Sequence, residues 1–468
     1  MASPNIIAYL MLLVWPLVSV LLWQRLSPQR ALVWTILGGY LVLPPLTSFD
    51  LPVVPNLDKV SIPNLMALFC AMFILKDRIS FLPQSWVGRL LIVFYLTTPI
   101  ATVMTNLDPL WFAQHMVPGM RIYDSIASIA YQAIALIPFF LGRKYLATAE
   151  GARDLLLILI IAGFAYSVPI IIESLVSPMM NIWVYGFFQH DFFQTLRQGG
   201  YRPVVFLPHG LWVAFFSLMT VFAAMIIGRQ STNVDRPKAL IACLYLFFIL
   251  TVCKSAGPMI YLFLIGPLIL LAPSRMQLLV AGALAVVVLL YPLLRGIHAI
   301  PVDQILDFAH AGSAERGGSL AFRIYNEELL LSRAAERPWF GWGGYGRGFL
   351  HNPETGEIST IADGWWVIVL GNSGWFGYIG EFGLTALSLL LLARRALFER
   401  TFVANPYHAG IALILAANMV DFLPNATSIP FTWLMAGALL GYVEHESHVL
   451  RAKTRIEKLI RLPKRTII

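Results

Sequence analysis

Charge is what this sequence most lacks. Only 12% of its 468 residues are Asp, Glu, Lys or Arg, against about a quarter in soluble domains, while 58% are hydrophobic. The deficit runs along the whole chain, which excludes a soluble globular protein and leaves a polytopic membrane protein. Cysteine is scarce too. Cys70, Cys243 and Cys253 each fall in an apolar run and read as buried small hydrophobes, not redox or metal groups. Despite a net charge of +8, no basic stripe interleaved with exposed aromatics stands out, so no nucleic-acid partner is expected. Metal-ligand spacing is missing, with neither His-x-x-x-His nor clustered cysteines. The GWGGYG run at 341–346 lacks the strand–loop–helix setting and following lysine of a nucleotide loop. Neither metal nor cofactor is expected.

What the chain has instead is apolar length. A helical span needs about 20 mostly apolar residues. Thirteen segments are candidates, near 6–23, 31–46, 61–75, 90–104, 123–141, 155–176, 207–227, 239–253, 257–272, 278–294, 365–393, 405–420 and 429–443. The expected fold is an all-α bundle of about 12–13 transmembrane helices. The first segment has no basic residue before it and no small-residue cleavage site after it, so it reads as a span, not a removable signal. Alternate connections divide the basic residues unevenly, and 22 of the 33 lie in one set that includes the tail 444–468. The positive-inside rule makes that set cytoplasmic. Five regions follow: N-terminal helices 1–176, central helices 177–294 with an outer loop 177–206, a long outer loop 295–364, C-terminal helices 365–443 and the basic tail. The tail reads as an anchor on anionic lipid.

The long outer loop concentrates the charge. Its stretch LAFRIYNEELLLSRAAERPWF spaces apolar residues as a helix lying at a membrane surface would. Pro338 ends that helix, and the glycines after it permit a tight turn with close backbone approach. Cationic groups recur where the chain returns to the bilayer: Arg197, Arg202 and His209 before one span, Lys254 in a short turn, Arg323 and Arg347 in the loop. Ionisable groups at such depths are costly and commonly functional. Converging, they would bind a diphosphate, guanidinium forks gripping it and lysine adding a point charge. Arg323 and Glu327 stand i, i+4, a spacing that also suits a plain surface pair. Asp363 is the last charge before the span. It is a candidate base and equally a candidate helix cap, with Trp365 and Trp366 placed to meet sugar faces. Glu381, five turns further on, is expected to face the bundle.

These pieces resemble the O-antigen ligase/polymerase superfamily of bacterial envelope glycosyltransferases. The resemblance rests on Arg202 in YRPVVFLPHG, Arg323 in FRIYNEE, RPWFGWGGYGRG at 337–348, and DGWWVIVLGNSGWFGYIGEFGL, and covers roughly the C-terminal 60% of the chain. It implies a polyprenyl-diphosphate-linked oligosaccharide donor, a saccharide or lipid acceptor, metal-independent transfer at the outer face of the inner membrane, and arginines on the diphosphate. It also implies contact with membrane lipids and with other polysaccharide-assembly proteins. Many members carry His-Asn where this chain has Asp363-Gly364, which leaves ligase against polymerase open. Two other classes compete. A flippase for lipid-linked saccharides would show charged or broken spans and inverted repeats, and none are evident in the sequence. A non-catalytic scaffold of an export complex would not need Arg202, Lys254, Arg323 and Asp363 together.

Overall fold

The computed structural model describes residues 3–50, 55–113, 115–197, 199–312 and 314–460. The last residues of the tail, 461–468, lie outside the described residues, as do the side chains of 447–460. The chain is 69% helical and all-α. Its strands are three short antiparallel hairpins, Ser48–Phe49 with Leu57–Asp58, Leu110–Phe112 with His115–Val117, and Leu196–Arg197 with Gly200–Tyr201.

Each of the thirteen apolar segments is helical. The order begins α1 (Ile6–Arg25), then α2 (Pro28–Val33), which passes through a π turn into α3 (Gly39–Val42). It continues with α4 (Ser61–Phe69), α5 (Trp86–Met104), α6 (Ile122–Ala135), α7 (Ile137–Tyr145) and α8 (Ala149–Leu175). Short α9 (Met180–Tyr185) precedes α10 (Gly210–Gln230), α11 (Arg236–Val252), α12 (Ala256–Leu271) and α13 (Ser274–Gly296). The long loop holds α14 (Val302–Gly312) and α15 (Ala314–Ala335). Last come α16 (Trp365–Phe398), α17 (Pro406–Asp421) and α18 (Pro430–Ile460). Seven helical stretches among the described residues are long and apolar enough to cross a membrane, so the protein is polytopic. The helix that carries the final apolar segment continues past residue 443, to Ile460.

Helix α10 forms the centre of the bundle, its residues from Val213 to Ile226 all buried. Small residues let other helices meet backbone to backbone. A methyl at Gly437 of α18 would overlap the Phe139 carbonyl of α7, and one at Gly142 of α7 would overlap the Leu434 carbonyl. The connections sort into two groups by contact. Arg30 pairs with Asp154 at 3.0 Å, Lys144 with Asp77 at 3.0 Å and Arg143 with Glu444 at 2.6 Å. Every one of these belongs to the basic-rich set. The opposite set is joined by Lys59 to the Phe206 carbonyl at 2.8 Å, Tyr345 to Asp124 at 2.8 Å and Arg347 to the Pro118 carbonyl at 2.8 Å. These contacts join connections of the same set to one another.

Helix α16 departs from a single straight span. Gly374 has φ 62° and ψ −166°, a conformation that glycine tolerates and other residues avoid. A straight helix would set residues 365 and 381 about 24 Å apart along its axis, yet Trp365 Nε1 donates to Glu381 Oε1 at 2.7 Å. The chain folds back at Gly374, so residues 365–373 form a short arm against the helix that follows. The glycine-rich turn fills the break. Trp342 and Gly343 donate to the carbonyls of Gly371 and Asn372 at 2.8 and 2.9 Å, while Trp375 and Phe376 donate to those of Pro338 and Trp339 at 2.7 and 3.2 Å. Backbone groups freed in an apolar setting need such replacements. The sequence showed no broken span; the structure contains one.

Candidate functional site

Arg323 rises from α15 toward the foot of the α16 arm. Its Nε lies 3.3 Å from Asp363 Oδ2, with the two side chains 28% and 33% exposed. Its Nη1 donates to the Pro424 carbonyl at 3.1 Å and to Asn425 Oδ1 at 3.2 Å. Asn425 is itself fixed, donating to Asp421 Oδ1 at 2.8 Å, and Thr427 donates to Asp421 Oδ2 at 2.6 Å. The α17–α18 turn is therefore a rigid cradle that aims the guanidinium. A charge held by buried hydrogen bonds needs little reorganisation on binding an anion.

The helix-cap reading of Asp363 is not what the structure shows. Gly364 occupies the cap position of α16 without any side-chain hydrogen bond. The first amides of the arm, on Trp365 and Trp366, donate instead to the carbonyls of Asn425 and Phe422 at 3.3 and 3.4 Å. Asp363 faces Arg323. The two tryptophans, by contrast, are not a sugar platform at the outer rim. Trp366 is 0% exposed and packs edge-on against Tyr291 at 5.1 Å, while Trp365 turns inward to Glu381.

Arg202 lies close enough to Arg323 and Arg197 to feel both charges, although Arg323 is 121 residues away. It is 5% exposed and makes one side-chain hydrogen bond, Nη2 to Ser255 Oγ at 3.1 Å, leaving Nε without a partner. Burial first, then Arg197 and Arg323, lower its pKa to about 10. Lys254 sits in the tight turn at φ 48°, and its Nζ reaches the Arg197 carbonyl at 3.4 Å. His209 caps α10, its Nδ1 accepting from the Leu211 amide at 3.1 Å. Burial and then the Arg202 charge push its pKa down to about 3. It therefore belongs to the cluster as a neutral ring, not as a cation.

Glu327 lies one turn along α15 from Arg323 and is buried. Its Oε2 is 4.0 Å from Arg295 Nε, and Arg295 donates to Glu328 at 3.1 Å. Burial outweighs the attraction of Arg295 and pushes the Glu327 pKa up to about 7, with Asp363 adding to the rise. Arg347 stands apart from this cluster. It is fully buried, and its Nη1 and Nη2 donate to the Pro118 and Asp108 carbonyls at 2.8 and 2.9 Å. That geometry fastens the 105–121 loop beneath the glycine turn and turns the side chain away from any anion. Of the candidates, Arg197, Arg202, His209 and Lys254 gather on one side, Arg323, Glu327 and Asp363 on the other. Sequence reading missed Asp421, Asn425 and Thr427, although the polar run DFLPNATS between two apolar segments was a signal for them. A comparison with protein-family models finds no match, and a search of curated proteins finds no relative.

Proposed function

We propose that the protein is a membrane glycosyltransferase that polymerises or ligates saccharide units from a polyprenyl-diphosphate donor. On this reading it acts at the outer face of the bacterial inner membrane, with its tail in the cytoplasm. The observation that carries the reading is the pairing of Arg323 with the carboxylate of Asp363 at 3.3 Å, with Arg202, from a distant part of the chain, near enough to feel the Arg323 charge. The chemistry follows from these groups. Asp363 accepts the proton of the acceptor hydroxyl as its oxygen bonds to the anomeric carbon. The bond from that carbon to the diphosphate oxygen breaks, and the electron pair leaves with the diphosphate. Arg202, Arg323 and Lys254 stabilise the charge released. Glu327, titrating near neutrality, is placed to tune the charge between Arg323 and Asp363.

A flippase reading gains one observation, the broken helix at Gly374, since broken spans mark many transporters. Here, however, four of the freed backbone groups bond to the glycine turn, which fixes the break in one state. The envelope of a deletion strain separates the classes. Transfer predicts lipid-linked units accumulating on the outer face with no polymer or ligated product. Units trapped on the inner face would instead support transport.

A further inference from the structure

A second cleft opens beside α5 and α6. It holds about 600 Å³, and its wall includes Asn56, Tyr123, Ser128, Tyr131, Gln132 and Asn372, with Gly343 and Gly344 of the turn. Among the described residues no lysine or arginine lines it, but Asp50 and Asp58 do. The side chains of Asn56, Ser128, Tyr131 and Asn372 hydrogen-bond to no other described residue, and Gln132 Oε1 is buried without a partner. Tyr131 also borders a smaller chamber of about 100 Å³ lined by Asn64, Tyr95, Trp365 and Glu381. There Asn64 is wholly buried with Oδ1 unpartnered. Trp365, in the wall of the smaller chamber, follows Asp363 by two residues.

Amides and hydroxyls free of protein partners on a cavity wall, with the buried Gln132 Oε1 among them, suit a ligand rich in both donors and acceptors. Tyrosine rings add flat apolar faces with polar tips. Two carboxylates with no cation disfavour an anion. We propose that this cleft holds an uncharged stretch of the saccharide and discriminates against uronic or phosphorylated units. The proposal rests on the glycosyl-transfer reading and adds a sugar specificity to it. Gly343 is part of the design, because a side chain there would collide with Met120 at the cavity wall.

The test is saturation-transfer NMR on the full chain in lipid nanodiscs, without donor. Cellotetraose, mannotetraose and chitotetraose are the neutral probes and tetragalacturonate is the acidic one. At least one neutral tetrasaccharide is expected to show transfer at least tenfold above tetragalacturonate. Tyr131→Ala should reduce that signal about tenfold, and Ser128→Lys should raise the tetragalacturonate signal. Thermal midpoints matching the parent show that both variants are folded. Equal or stronger binding of tetragalacturonate, no transfer from any neutral probe, or a neutral signal unchanged in both variants overturns the proposal. Because no donor is present, the two readings fail separately. Neutral binding in a protein that proves unable to transfer keeps the cleft and ends the enzyme, and active transfer without neutral binding does the reverse.

Discussion

Two groups of arginines occupy the same end of this bundle and differ in what their nitrogens touch. Arg347 spends both Nη atoms on backbone carbonyls, and Arg333 stacks on Trp342 at 3.5 Å while donating to the Arg347 carbonyl. Arg202 meets only Ser255, and Arg323 meets a partly exposed carboxylate and a prebuilt turn. The first group holds loops together. The second brings two guanidinium groups within reach of each other's charge, one of them paired with a partly exposed carboxylate. Exposure differs as well: Arg347 is fully buried, while the Arg323 side chain is 28% exposed beside Asp363.

The comparison breaks most sharply at the second group. Arg323→Lys and Arg202→Lys keep the charge and lose the fork, and each should cut product formation by about 10²–10³ at unchanged membrane levels. Quantified envelope polysaccharide against immunoblotted protein checks this; near-normal product from both would place them with Arg347. Arg347→Ala should act the other way. Two hydrogen bonds from a charged donor are lost, at about 1.5–3 kcal/mol each, so thermal unfolding of the purified protein should occur at lower temperature and protein levels should fall. Product per folded molecule should hold. Gly374→Ala should be comparably damaging, because alanine is strained at that φ and its methyl would overlap the Trp339 carbonyl.

A smaller effect sharpens the account at Glu327. Its pKa rises from 4.5 to about 7 in the fold, so between those values the folded protein binds more protons than the unfolded chain. Its stability contribution is therefore present at low pH and lost as pH climbs toward 7. Glu327→Gln should flatten this dependence, matching the parent near pH 4.5 and exceeding it above pH 7. Thermal midpoints across that range decide it, and parallel curves would remove Glu327 from the titration.

Helices were legible because hydrophobic length is a local property. All thirteen apolar segments became helical. The glycine turn was legible as a place of close backbone approach, since glycine at 341 and 343 has few other purposes. The break at Gly374 was not. It is one glycine among many in GNSGWFGYIGEFG, and only the docking of the turn against it selects that position. The tryptophans misled for a related reason: interfacial position was inferred from sequence distance along a helix that in fact folds back. Arg347 shared composition and location with Arg323, and the carbonyls that claim it come from residues 108 and 118.

The central claim is that Asp363 works with Arg323 in chemistry and does not simply close a helix. Asp363→Asn tests it most directly, assayed as product formed from lipid-linked donor by equal amounts of folded protein. Asparagine keeps size and hydrogen bonding, and the amides of the α16 arm bond elsewhere, so the fold should be untouched. The account predicts normal insertion and unfolding temperature with a loss of about 10²–10⁴ in rate. Undiminished product from Asp363→Asn would contradict it.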